Sequence, residues 1–440
     1  MTNTNLAIMN SLRDFIDEVH KNKMFIENKN HFTVNESKLN FHRLIALILN
    51  LPKKSVSLEI EEFFQTIGKA GLSCTKSAFT QQRSKLSHEF FSALNAKLLD
   101  ENYFQNRKTL KRWKGFILCG VDGSLMSMIN KPDVLAYFGT KANQYVRYPL
   151  GRIMGIYDVL NNVTVACNLF PVTITEAAII KQWIEVSQHD QLLLYDRGFP
   201  GFVNLFLHHQ QERAIHYVMR SKLDMNENVR AFVKTKSNDS ILHFEADKDN
   251  VRDLFNLGYK IEIGTKLKVR AIKVKLESGE TEILLTNLFD SKEYPLRIFK
   301  PLYFKRWGIE TNYNAQKNYL QIECFSGTKV NSILQDFYAA VFIGNLQSIL
   351  ANSCQETIKK KTGNRKYEYR INRNLAIGLM KNKIPKLFLD FSPEIILEEI
   401  ISQQMKFCEP VRPNRTNPRR WQLKKLHGKY QTQLNYKRVL

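Results

Sequence analysis

Phe116-Ile-Leu-Cys-Gly-Val-Asp-Gly-Ser124 is a short apolar run that stops at an aspartate and a glycine. An uninterrupted run of this length is the pattern of a central strand buried on both faces. Leu192-Leu-Leu-Tyr195 repeats the pattern and ends in Asp196-Arg197-Gly198. Between the two, Gly151 to Val159 and Val163 to Leu169 read as strands joined by a tight turn at Asn161-Asn162. Glu176 to Ser187 has helical periodicity, with Ala177, Ile180 and Ile184 on one side. Phe202 to Leu207 continues as a helix, and Ile215 to Met219 reads as a fifth strand. The order is strand, hairpin, helix, strand, helix, strand, which predicts an α/β domain with a mixed sheet. Two of its central strands would end in Asp122 and Asp196, and ligands bind at the carboxyl ends of strands in open α/β sheets.

Outward from this core the pattern changes twice. From 221 to 298, the segments Ile241 to Ala246, Lys260 to Ile263, Leu267 to Leu276 and Glu282 to Leu285 read as strands. This stretch is too long for a simple connection, so it reads as a β-rich insertion in the α/β domain. Tyr303 to Lys317, YFKRWGIETNYNAQK, follows as a helix. On one continuous helix Tyr303, Arg306, Glu310 and Lys317 share an arc of roughly 60°. Phe337 to Leu350 reads as a buried core helix rather than a membrane span, since it is short and holds Asn345 and Gln347.

The flanks are helical. Residues 1 to about 105 carry apolar repeats at Ile45, Ile48 and Leu49 and at Ile60, Phe63 and Phe64. In Thr75 to Leu86, Thr75 or Ser77 would cap a helix with Phe79 and Leu86 buried and Gln81, Gln82, Arg83 and Lys85 as polar positions. It suits either a helix-turn-helix-like DNA-binding unit or a plain helical bundle. Residues 356 to 404 hold amphipathic runs at Leu375 to Met380 and Ile395 to Ile401. The last 36 residues carry ten Lys and Arg against one acid, Glu409, with Pro413, Pro418 and Trp421 interleaved. That tail suits phosphates, or serves solubility alone.

The 440-residue chain carries 65 Lys and Arg against 42 Asp and Glu, a formal charge of +23. Such an excess points to a polyanionic partner, most simply nucleic acid, and no basic amphipathic membrane anchor stands out. Six scattered cysteines form neither a zinc pattern nor a disulfide framework, and no apolar leader precedes the first helix. A reducing, cytoplasmic setting follows as the expectation.

Asp122, Asp196 and Glu310 are the candidate chemistry. Converging carboxylates repel, and hard divalent cations such as Mg²⁺ relieve that repulsion while binding substrate phosphates. Two such ions about 4 Å apart clamp the attacking and leaving oxygens of a phosphoryl displacement.

With these motifs in place, the sequence resembles the DDE transposases of the insertion-sequence-four group, bacterial cut-and-paste enzymes with a Tyr-Arg-Glu-Lys signature. The signature Y-x2-R-x3-E-x6-K is met at Tyr303, Arg306, Glu310 and Lys317, and the family's aspartates match Asp122 in GVDGS and Asp196 in LLLYDRGF. LLTNLFD, LYFKRWGIE, SAFTQQRSKL and VRPNRTNPRR also resemble it, so the likeness spans nearly the whole chain. The resemblance implies a ribonuclease-H-like catalytic core interrupted by a β-strand insertion. It implies two Mg²⁺ ions, with Mn²⁺ as substitute, held by Asp122, Asp196 and Glu310. It implies a homodimer that binds terminal inverted repeats, and hydrolysis followed by strand transfer into target DNA. Tyr303, Arg306 and Lys317 would contact the terminal phosphates and a displaced nucleotide. Arg197, beside the second aspartate, suits a phosphate contact or a structural ion pair. Trp307 suits base stacking or core packing, with packing preferred. The rival classes are a metal-dependent nuclease that does not join DNA and a non-catalytic DNA-binding regulator.

Overall fold

In a computed structural model of the chain, the run that begins at Phe116 becomes the central strand of a nine-stranded sheet. The structure describes residues 2–105, 107–142, 147–209, 214–389, 391–412 and 440, so the basic tail beyond Arg412 lies outside it. Two compact units form: residues 106–313, and residues 1–105 together with 314–440.

The N-terminal segment folds as α1 (Thr2–Asn22), α2 (Phe41–Leu49), α3 (Val56–Thr66), α4 (Lys76–Ser84) and α5 (Glu89–Leu99). Thr75 caps α4 by accepting from the Ala78 amide at 3.1 Å. Phe79 and Leu86 are buried as expected. Arg83 is not one of the solvated positions; it is 1% exposed and bonds Asp336 at 2.9 Å.

In the unit 106–313 the strands are β1 (Ile117–Ser127), β2 (Thr140–Ala142), β3 (Arg147–Asp158), β4 (Val163–Pro171), β5 (Gln191–Tyr195), β6 (His216–Ser221), β7 (Asp239–Glu245), β8 (Lys266–Lys275) and β9 (Thr281–Thr286). The helices that begin in it are α6 (Pro132–Phe138), α7 (Glu176–Val186), α8 (Phe202–His209), α9 (Glu227–Lys234), α10 (Lys248–Asn256), α11 (Phe299–Phe304) and α12 (Trp307–Asn318). The central order is β4-β3-β1-β5-β6. There β1, β3 and β4 are antiparallel, while β1, β5 and β6 run parallel. This is a ribonuclease-H-like mixed sheet. The β3–β4 hairpin turns at Asn162, whose φ of 57° suits the asparagine there.

The segment 221–298 lengthens the same sheet: β9 pairs β6, and β8 and β7 follow outward. It also holds two helices that strand periodicity did not reveal, α9 and α10, each capped by an Asx side chain. Lys260 to Ile263 is not a strand. Gly258 at φ 87° turns the chain back after α10, and Ile263 is a turn residue, 61% exposed. One core joins insertion and central strands: Leu118, Leu192, Val218, Ile272 and Leu284 pack with Phe299 and Leu302 of α11. Each such side chain contributes about 2 kcal/mol of burial.

The second unit is completed by α13 (Val330–Thr362), β10 (Tyr369–Ile371), α14 (Arg373–Met380), α15 (Ile384–Phe388), α16 (Pro393–Lys406) and β11 (Cys408–Pro410). By length and composition α13 is apolar enough to cross a membrane, but 94% of its apolar window is buried, chiefly under helices of its own unit.

Candidate active site

Strand register brings the two aspartates together. β1 and β5 are parallel, and their last paired residues are Val121 and Tyr195. Asp122 and Asp196 are each the next residue along. Asp122 does not end its strand. β1 continues to Ser127 because β3 keeps pairing it, Asp122 opposite Gly155 and on to Ser127 opposite Leu150.

Alternation along β1 puts Gly120 and Asp122 on one face. A Cβ on Gly120 would lie 3.2 Å from Ile309 and 3.3 Å from the Arg306 carbonyl, so this glycine lets the start of α12 lie against the strand. Gly155 plays the same part across the hairpin. Its missing side chain leaves room for the Tyr313 hydroxyl, which donates to the Asp122 carbonyl at 2.7 Å. Gly123 faces the opposite way, under Glu176 at the start of α7.

The signature does not form one helix. α11 ends at Phe304, and the amides of Lys305, Arg306, Gly308 and Ile309 bond back three residues rather than four. That tight turn separates Tyr303, on α11, from Glu310 and Lys317, on α12, with Arg306 at the junction. The expected single arc is therefore broken. Its effect is to turn Arg306 inward, where its side chain is 2% exposed. Arg306 donates through Nη2 to Glu310 Oε1 at 2.7 Å, and its Nη1 stands 3.6 Å from Asp122 Oδ2. Its Nε and Nη1 are buried with no hydrogen-bond partner. The Tyr303 hydroxyl donates to the carbonyl of Tyr195, immediately before Asp196. Trp307 is 42% exposed rather than packed in the core. Lys317 is in the last turn of α12.

Asp196 has a partner that the sequence did not mark. Arg220 on β6 donates through Nε to Asp196 Oδ1 at 2.9 Å and through Nη1 to Glu282 Oε1 on β9 at 2.6 Å. Arg197 is exposed and contributes its backbone amide to Asp196 Oδ1 at 2.7 Å. Arg220 takes the ion-pair role considered for Arg197. Its only sequence signal was a basic residue closing an apolar strand. Arg152 and Glu176 form a further pair beside Gly123, equally silent in sequence.

The two aspartates are driven apart electrostatically. Burial pushes Asp122 up to about 6, against the Gly123 amide and Arg306. Burial also raises Asp196, but the Arg197 amide, Arg306 and Arg220 outweigh it and hold that carboxyl below its usual value. Burial raises the Tyr303 phenol well above its ordinary range, so it acts as a hydrogen-bond donor and not an anion.

Among the described residues no three His, Cys, Asp or Glu side chains stand close enough together to enclose a cation. Arg306 bridges Asp122 and Glu310, and Arg220 holds Asp196. The donors themselves are hard carboxylate oxygens, the chemistry that suits Mg²⁺ or Mn²⁺.

No family model and no curated protein matches the sequence. Among solved structures, the chain is similar to one described as a piggyBac transposase synaptic complex with hairpin DNA. The two share 10% identity and a TM-score of 0.42, covering 90% of this chain and 82% of that one. A likeness of that degree assigns neither residues nor activity.

Proposed function

We propose that this chain is a DNA transposase that binds the terminal inverted repeats of its element, cuts there and transfers the ends to target DNA. The observation that carries the reading is the β1–β5 register, which sets Asp122 beside Asp196, with Glu310 tied to Asp122 through Arg306. The signature spacing and the charge of +23 support the same reading.

Asp122, Asp196 and Glu310 would hold the divalent cations, which supply Lewis-acid stabilisation and a more acidic attacking water when bound. The remaining residues bind and orient. Arg306 and Lys317 neutralise phosphate charge, and Arg306 must yield its carboxylates to do so. Exposed Arg197 is available to a phosphate beside Asp196, and exposed Trp307 to a base. Tyr303 supports the strand end that presents Asp196. A homodimer would hold two ends together.

The test is cleavage of a duplex carrying the element's own terminal repeat, with Mg²⁺. The natural chain should nick at the repeat boundary, while Asp196→Asn and Glu310→Gln bind the repeat and cut only at background level. Cleavage by either variant at the natural rate would sink the assignment. A second reading, a DNA-binding protein without cutting activity, is favoured by the guanidiniums already engaged with the carboxylates. Repeat binding with no cleavage by any form would select it. Cleavage without joining of a pre-cut 3′-hydroxyl end would select the nuclease.

A further inference from the structure

The C-terminal end of α13 carries Lys359, Lys360 and Lys361, and Arg365 and Lys366 follow within the next five residues. All five are exposed. Among the described residues none of the five pairs with a carboxylate. Other lysines of the same unit do: Lys54 with Glu62, Lys97 with Glu101, Lys381 with Glu59 and Lys383 with Glu399. Favourable interaction with the helix dipole accounts for cations in the last turn, at about 0.3–1 kcal/mol each. It does not reach Arg365 and Lys366 beyond the helix end, and five neighbouring like charges repel.

Two further observations show how the turn is mounted. The Arg365 guanidinium lies 4.8 Å over the Tyr369 ring, and the Lys366 ammonium lies 5.5 Å over Tyr367. These contacts orient the cations without neutralising them. Below them, Ile358, Ile371, Ala376 and Ile401 form a buried cluster that makes the base rigid. The β10–β11 pairing then brings a distant segment alongside. Arg370 faces Glu409, and the Val411 amide donates to the Glu368 carbonyl at 2.7 Å. This pairing sets Val411 and Arg412 beside the basic turn.

We infer that the turn Lys359–Lys366, with Tyr367 and Tyr369, is a docking surface for the sugar-phosphate backbone of duplex DNA. Its chemistry is that of phosphate contacts that position a duplex without reading its sequence. The choice of DNA among polyanions rests on the function proposed above.

The test is binding of a short duplex by the full-length chain, followed by fluorescence anisotropy over a range of salt. The forms compared are natural, Lys359→Gln/Lys360→Gln/Lys361→Gln and Arg365→Gln/Lys366→Gln. Each lost phosphate contact should make the slope of log affinity against log salt shallower by about 0.9. The triple variant should lose about two to three in slope and the double variant about one to two. All the substituted side chains are exposed, so thermal unfolding should be unchanged. Unchanged slopes in both variants would overturn the proposal. So would unchanged DNA slopes together with lost binding to anionic phospholipid vesicles, which would make the turn a membrane surface. Shallower slopes without any cleavage of repeat DNA would keep the docking surface and remove the transposase reading. Cleavage with unchanged slopes would do the reverse.

Discussion

Arg306 shows how much of this site rests on single side chains. A guanidinium 2% exposed, with two nitrogens lacking hydrogen bonds, pairs with Glu310 and, more loosely, Asp122, and lies over the Tyr303 and Trp307 rings. Buried, under-compensated charge is costly and does not argue for stability. His208 is the buried neutral counterpart. It sits between the Ile215 carbonyl at 3.0 Å and the Tyr195 hydroxyl at 3.1 Å. The carbonyl can only accept, so Nδ1 carries the proton and Nε2 accepts from Tyr195. Burial, first among its causes, lowers His208 to about 3. The unfolded chain therefore takes up a proton below about pH 6.5 that the folded chain refuses. Stability contributed above that pH is lost as pH falls toward 3. Between pH 7 and 5 this costs the fold about 2 kcal/mol. Urea titrations at the two pH values should show a drop smaller by about that amount in His208→Asn; an equal drop would mean that His208 is not the linked group.

At the scale of elements, the site depends on how closely α12 approaches the sheet, and glycines set that distance. Gly308 lies in the first turn of α12, where a Cβ would meet Val159 Cγ1 at 2.9 Å and Val159 Cβ at 3.0 Å. Glycine to alanine inside a helix normally stabilises by roughly 0.5–1 kcal/mol. Here the sign should reverse. Gly308→Ala should cost about 1–2 kcal/mol through overpacking, and shift Glu310 enough to slow cleavage. Adding Val159→Ala should recover stability. Denaturant melts of the single and double variants decide this, and a stabilised single variant would show that the contact relaxes freely. The break between α11 and α12 belongs to the same scale. The chemistry of Tyr303, Arg306, Glu310 and Lys317 was legible from spacing, but the continuous helix assumed for it was not the geometry that forms. The residues after Phe304 tighten to three-residue turns, and no sequence period marks that choice.

For the molecule as a whole, one unit is built from both ends of the chain. α13 packs on α2, α4 and α5 as well as on α14 and α16, and Arg83 of α4 meets Asp336 of α13 with both side chains nearly fully buried. A chain beginning at 106 would uncover that apolar face and take away the Arg83 partner of Asp336. Size-exclusion chromatography and circular dichroism of residues 106–440 should show aggregation or lost helix. A monodisperse, fully helical product would mean that the N-terminal helices are dispensable to that unit.

Strands such as Leu192 to Tyr195, the Asn161-Asn162 hairpin, a capped helix after Thr75 and the buried helix around Phe337 to Leu350 were determined by sequence alone. Each follows from local periodicity, apolar run length or turn chemistry, which act over a few neighbouring residues. So was the candidacy of Asp122 and Asp196, since an acid after a buried run is visible in one dimension. Only the tertiary structure decided that β1 runs on past Asp122, that Arg306 turns inward, that Arg220 and not Arg197 pairs Asp196, and that 221–298 extends the central sheet. Those outcomes depend on which strand lies beside which. Arg220 reaches Asp196 because β6 pairs β5, and Asp122 stays in a ladder because β3 is long enough to hold it. Pairing of that kind joins residues tens of positions apart, and a single chain's residue pattern carries no signal of it.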